Sequence, residues 1–188
     1  MVPLSSHSVP CTGRHGPSSS GACDRVKMDF YLFCRSLSAR EAARRDATMI
    51  AGAAAVEILL LLAAVHVYWA AGGKAGKAAA IPTAEGRAVL KPSALSTAMV
   101  AVALCVIAAI LALRIGWIKL PGFAGDNILV QIAAWLIAAV FALRAIGDFR
   151  YVGFFKRIRY TRFARLDTLA YSPLCAVLAV LIGIAASH

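Results

Sequence analysis

An imidazole, a guanidinium and several carboxylates stand inside otherwise apolar sequence, and each could do a different kind of chemistry. His66 could move a proton as acid or base, Arg144 could hold an anionic oxygen on its planar fork of donors, and Tyr171 could donate a phenolic hydrogen bond. Arg144 and Asp148 are four residues apart, so on a helix they share a face and are close enough for an ion pair. His66 and Trp69, three apart, also share a face, with Tyr68 beside them. Glu57 precedes His66 by nine residues, about half a turn out of phase at helical periodicity, so it cannot belong to the same face. Paired carboxylates, a histidine cluster and an activated serine or cysteine are not visible, which weakens a catalytic reading. The five cysteines, at 11, 23, 34, 105 and 175, are too scattered for a tetrahedral metal site or a dithiol motif. Neither a metal, a cofactor nor a disulfide is expected.

The elements that must position these groups follow from composition. The 188 residues are 61% hydrophobic and 15% charged, with a mean hydropathy of +0.75. That leaves too little polar surface to cover a soluble globule, so the class expected is an integral membrane protein. The net charge of +11 lies between apolar runs rather than along an exposed groove. Anionic lipid headgroups are therefore the expected partner, and nucleic acid is not.

Four apolar runs, at about 49–71, 93–116, 127–147 and 166–186, are each close to the ~20 residues needed to cross a ~30 Å hydrocarbon layer as a helix. Lipid cannot satisfy backbone amides, and four spans are too few for a closed barrel. The fold expected is all-α, a four-helix transmembrane bundle with a disordered N-terminal extension. Residues 1–46 form that disordered or surface-lying extension and 47–188 the four-span membrane domain. The first 27 residues are rich in Ser, Pro and Gly and match neither a folded segment nor a secretory signal. Residues 36–48 could form a short surface helix with Arg40, Arg44 and Arg45 near headgroups. A translation start at Met28 or Met49 is compatible with this division. In the fourth span, Pro173 either opens the helix after a Ser172 cap or kinks one begun near Asp167; the length of the span favours the kink.

Orientation follows the cations. Loop one carries Lys74, Lys77, Arg87 and Lys91, and loop three carries Arg150, Lys156, Arg157, Arg159, Arg162 and Arg165, so both are expected on the cytoplasmic side. Arg35, Arg40, Arg44 and Arg45, before the first span, argue the other way. In loop three the six cations are interleaved with Phe149, Tyr151, Phe154, Phe155, Tyr160 and Phe163. Rings settle at headgroup depth and cations attract anionic lipid, so this connector is expected to lie on the membrane. The alternative is that the cations only set topology and the rings only extend the core.

Successive crossings alternate in direction, so the ends of spans one and three share a leaflet with the starts of spans two and four. His66, Tyr68, Trp69, Arg144, Asp148, Asp167 and Tyr171 therefore fall at one level, forming a candidate polar site. Charges this deep are costly unless paired, so Arg144 and His66 are expected to face inward, toward Asp167 and Tyr171. The plainer reading is that Arg144 reaches for the interface and Asp148 pairs locally. The opposite end holds Gln131, Arg114, Trp117 and Asp126, a thinner set. Glu57 is an intramembrane acid, either a proton station or a group hydrogen-bonded at a helix contact.

The segments HVYWAAGGKAG (66–76), KPSALSTAMVA (91–101) and above all RAIGDFRYVGFFKRIRYTRFARLDTLAYSPLC (144–175) resemble a family of small bacterial membrane proteins, domain of unknown function 3995. The resemblance covers residues 47–188. It implies a four-span protein of the bacterial cytoplasmic membrane and supplies no site residues. Three functions stay open: a membrane-embedded binding or accessory protein that docks lipid or a partner at the polar end, a small transporter or proton-coupled carrier using Glu57 as a homo-oligomer, and an enzyme acting on a lipid-like substrate through His66.

Overall fold

The computed structural model describes residues 19–76, 83–84, 87–88, 93–121, 127–147, 153–154 and 162–187. Helix α1 spans Ser19–Ala70, α2 Ala94–Arg114 and α3 Ile128–Ile146; a last helical run comprises α4 (Arg162–Leu166), a π-helical stretch (Asp167–Tyr171) and α5 (Ser172–Ala186). A two-residue antiparallel ladder pairs Thr83–Ala84 with Arg87–Ala88 in loop one; the other elements are helical. Among the described residues, four helices are long and apolar enough to cross a membrane: Lys27–Ala70, Ala94–Arg114, Ile128–Ile146 and Phe163–Ala186.

The chain divides into two units, Met1–Ala43 and Arg44–His188. In the first, the chain is helical from Ser19, so the expected short surface helix is instead part of the long α1. Side chains 27–43 are exposed. The second unit contains the core. Leu59 of α1, Leu111 of α2, and Leu178 and Ile182 of α5 are fully buried, and Ala55, Ala63, Ala108, Ala134 and Ala138 fill the space between them. Alanine at these contacts lets backbones approach closely, which matters where surrounding lipid gives apolar burial no drive.

Local signals set the helix ends. Ser93 caps α2, its hydroxyl oxygen accepting from Ser96 N–H at 3.1 Å, and Asn127 caps α3, accepting from Leu129 N–H at 2.9 Å. The last helical run resolves the Pro173 question. The helix does not open at Ser172; it starts at Arg162 and continues through the proline. Proline has no N–H and its ring would meet the carbonyl four residues back in an α-helix. The π stretch just before it, where Ser172 N–H donates to the Asp167 carbonyl, widens the turn at that point.

Gly52 shows how close α1 comes to its neighbours. A Cβ there would run into Cγ2 of Ile115, just past α2, and lie 3.5 Å from Ala185 Cβ on α5. Gly52→Leu is expected to force these helices apart at a cost of about 1–3 kcal/mol, read as a lowered thermal unfolding midpoint. An unchanged midpoint would mean that the close approach is absent.

Candidate functional site

The best-defined polar centre is the Asp167 carboxyl, which is fully buried. Its Oδ2 accepts from Gly153 N–H at 2.8 Å and from the Ser172 hydroxyl at 3.2 Å. Its Oδ1 receives both terminal nitrogens of Arg144 at 3.4 Å. Each partner comes from a different part of the chain: Arg144 from the last turn of α3, Gly153 from the connector, and Ser172 from the start of α5.

The backbone makes this convergence possible. Gly147 ends α3 at φ 92°, donating its N–H to the Leu143 carbonyl, and Phe154 N–H returns to the Ala145 carbonyl at 3.0 Å. Residues 153–154 are thereby held against the end of α3, with Gly153 at φ +93° donating to Asp167. Asp167 and Ser172 lie five apart, about 140° out of phase on an α-helix. The i to i+5 bonding of the π stretch brings them to the same side.

The charges are arranged asymmetrically. Asp167 is sealed in and surrounded by donors, whereas the Arg144 side chain is 38% exposed. A guanidinium carries five N–H donors, so Arg144 can hold the carboxylate and still present donors outward. The arrangement suits binding a second oxyanion more than proton transfer.

The other sequence-derived residues are distributed as follows. His66 Nδ1–H donates to the Leu62 carbonyl of its own helix at 2.7 Å, and its ring meets Trp69 edge-on at 5.3 Å. Trp69 Nε1–H donates to the Ala75 carbonyl at 2.7 Å, and Tyr68 is half exposed under Gly73. Tyr171 packs against Phe163, ring centres 6.2 Å apart. The structure thus pairs Arg144 with Asp167 and His66 with Trp69. Glu57 is exposed on α1. Arg165 is exposed. Asp148, Arg150, Lys156, Arg157 and Arg159 lie outside the described residues, as does the side chain of Arg162.

Two features escaped sequence reasoning. Ser172 and Gly153 hold Asp167, and the available signal was Pro173, which forces a non-α turn near that acid. At the opposite end, the Ala186 carbonyl accepts from Gln131 at 3.1 Å and from buried Arg114 at 3.5 Å. A cation at the last turns of α2 and α5 complements both helix dipoles.

A family model described as "Protein of unknown function (DUF3995)" matches residues 59–182. That is narrower than the resemblance read from the motifs, and it includes Arg144, Gly153, Asp167 and Ser172 but not Glu57. No curated protein and no solved structure matches the chain.

Proposed function

The chain belongs to this family of unknown function, and from that premise we propose a multi-pass membrane protein that docks an anionic lipid headgroup at the Arg144 end of its bundle. The observation carrying this reading is a part-exposed Arg144 side chain paired with a buried carboxylate that also accepts from Gly153 and Ser172. Asp167 orients Arg144, and the outward donors meet a phosphate oxygen at headgroup depth. The cations of loop three add attraction of about 1 kcal/mol each near the surface, and with loop one they favour the cytoplasmic side for this end.

The competing readings draw less support. A carrier would need a second copy to enclose Glu57, which is exposed on α1. An enzyme built on His66 needs an oriented imidazole facing a reacting group, whereas this ring is engaged by Leu62 and Trp69 of its own helix.

The test is lipid selectivity in nanodiscs containing phosphatidylcholine and phosphatidylglycerol. Arg144→Gln is expected to lower the enrichment of protein-bound phosphatidylglycerol about tenfold, the equivalent of one charge-assisted hydrogen bond. Arg144→Lys keeps a point charge without the fork and should fall in between. Replacing Arg157, Arg159 and Arg162 by Gln should reduce enrichment further. Unchanged enrichment in Arg144→Gln would overturn the reading.

A further inference from the structure

Glu57 stands on the outer face of α1. Ala55 and Leu59, about 160° away around the helix, are fully buried in the core, whereas Glu57 is exposed. In a membrane this face meets hydrocarbon. The apolar run that carries Glu57 begins near Met49, so at about 1.5 Å per residue the acid lies about 12 Å from the nearer boundary. A side chain with two methylenes cannot cover that distance to water or to a headgroup. A carboxyl alone at such depth is costly, so its face calls for a polar partner at the same depth.

The rest of the face has a defined pattern. Ile50, Ala54, Glu57, Leu61, Ala64 and Tyr68 are spaced four, three, four, three and four apart, the heptad spacing of a helix that packs lengthwise against another. All are exposed except Ala54, which is partly so. Ile50, Leu61, Ala64 and Tyr68 lie within about 40° of Glu57 around the helix. The acid therefore sits on the centre line of the seam.

Depth and chemistry together select the occupant. Copies of one membrane protein insert in the same direction, so Glu57 of each lies at the same depth, and a two-fold axis along the membrane normal sets the two side by side. A carboxyl that holds its proton is self-complementary, its O–H donating to the partner's oxygen and its own oxygen accepting in return. Depth rules out a headgroup, and an apolar span of another protein would leave the acid without a hydrogen-bond partner.

We infer that a second copy of the chain covers this face, with the two α1 helices parallel and their Glu57 carboxyls hydrogen-bonded to each other. Interhelical hydrogen bonds hold helices together in lipid, where apolar burial gives no drive, and a single polar position in an apolar seam fixes its register. The contact uses α1 whereas Arg144 belongs to α3, so it goes beyond the headgroup reading and can fail without it.

The experiment is subunit counting by single-molecule photobleaching of the labelled full chain in liposomes over a range of protein-to-lipid ratios. The wild type is expected to pass from one subunit to two as the ratio rises. Glu57→Leu keeps the face apolar and should weaken that association about tenfold. Glu57→Gln, whose amide also donates and accepts, should stay within about threefold of the wild type. Both variants change an exposed position and leave the core of the bundle intact. With the five native cysteines replaced by Ala, oxidation of Ala64→Cys should give a disulfide-linked dimer, and Val140→Cys, exposed on α3, should not. Single subunits at every ratio, wild-type association in Glu57→Leu, or a different protein found in place of the second copy would overturn the proposal. Equal disulfide yield from Val140→Cys would overturn the choice of face, and equal weakening in Glu57→Gln and Glu57→Leu would overturn the reciprocal hydrogen bond.

Discussion

Asp167→Ala is expected to destabilise the folded chain by about 3 kcal/mol, since it leaves the buried donors of Gly153 and Ser172 without their acceptor at about 1–3 kcal/mol each. Arg144 adds little to this loss, because its side chain is 38% exposed, so it can turn toward water or headgroups and its pairing is screened. For a chain of this size the change corresponds to a fall in unfolding midpoint of roughly 6–12 °C. Asp167→Asn preserves one carbonyl acceptor and should lose about half as much. The measurement is thermal unfolding of purified protein in one detergent, with the three forms side by side. If Asp167→Ala melts with the wild type, the carboxylate is not the structural centre described above.

The second large effect is expected at Gly153. At φ +93° an L side chain is already strained, by about 1–2 kcal/mol, and a Cβ would strike the Ile146 carbonyl and the Gly147 Cα. Both obstacles are backbone atoms, so no side-chain rotation relieves them. Moving Gly153 also pulls its N–H away from Asp167, so Gly153→Ala should cost roughly 2–4 kcal/mol in total. Gly72 is the control. Its φ is +98° but a Cβ there meets nothing within 4 Å, so Gly72→Ala should cost only the conformational term. Equal losses in the two variants would show that contact with Ile146 and the bond to Asp167 contribute nothing.

These predictions bear on residues that were hard to read in advance. Spacing draws attention first to Arg144 and Asp148, because a separation of four is a helical neighbour. In the structure Arg144 meets Asp167, 23 positions further on, and Asp148 lies outside the described residues. A spacing rule recognises partners on one helix only while that helix continues, and α3 ends at Ile146. Ser172 was legible as a cap and acts instead as a hydroxyl donor to an acid one π turn earlier. Glu57 was legible as an acid within an apolar run, but its exposed position on α1 depends on how that helix is rotated against the others.

By itself the sequence determined the number and helical nature of the apolar segments, but not where the first helix begins, which is at Ser19 rather than near Met49. Hydropathy and length are properties of each segment alone, and capping by Ser93 and Asn127 involves only the next few residues. Tertiary structure decided which groups meet: the return of residues 153–154 onto the end of α3, and the π turn before Pro173 that brings Ser172 to Asp167. Each depends on the rotation and separation of elements distant in the chain, set by close packing of alanine and leucine faces that many registers could satisfy about equally well in local sequence terms.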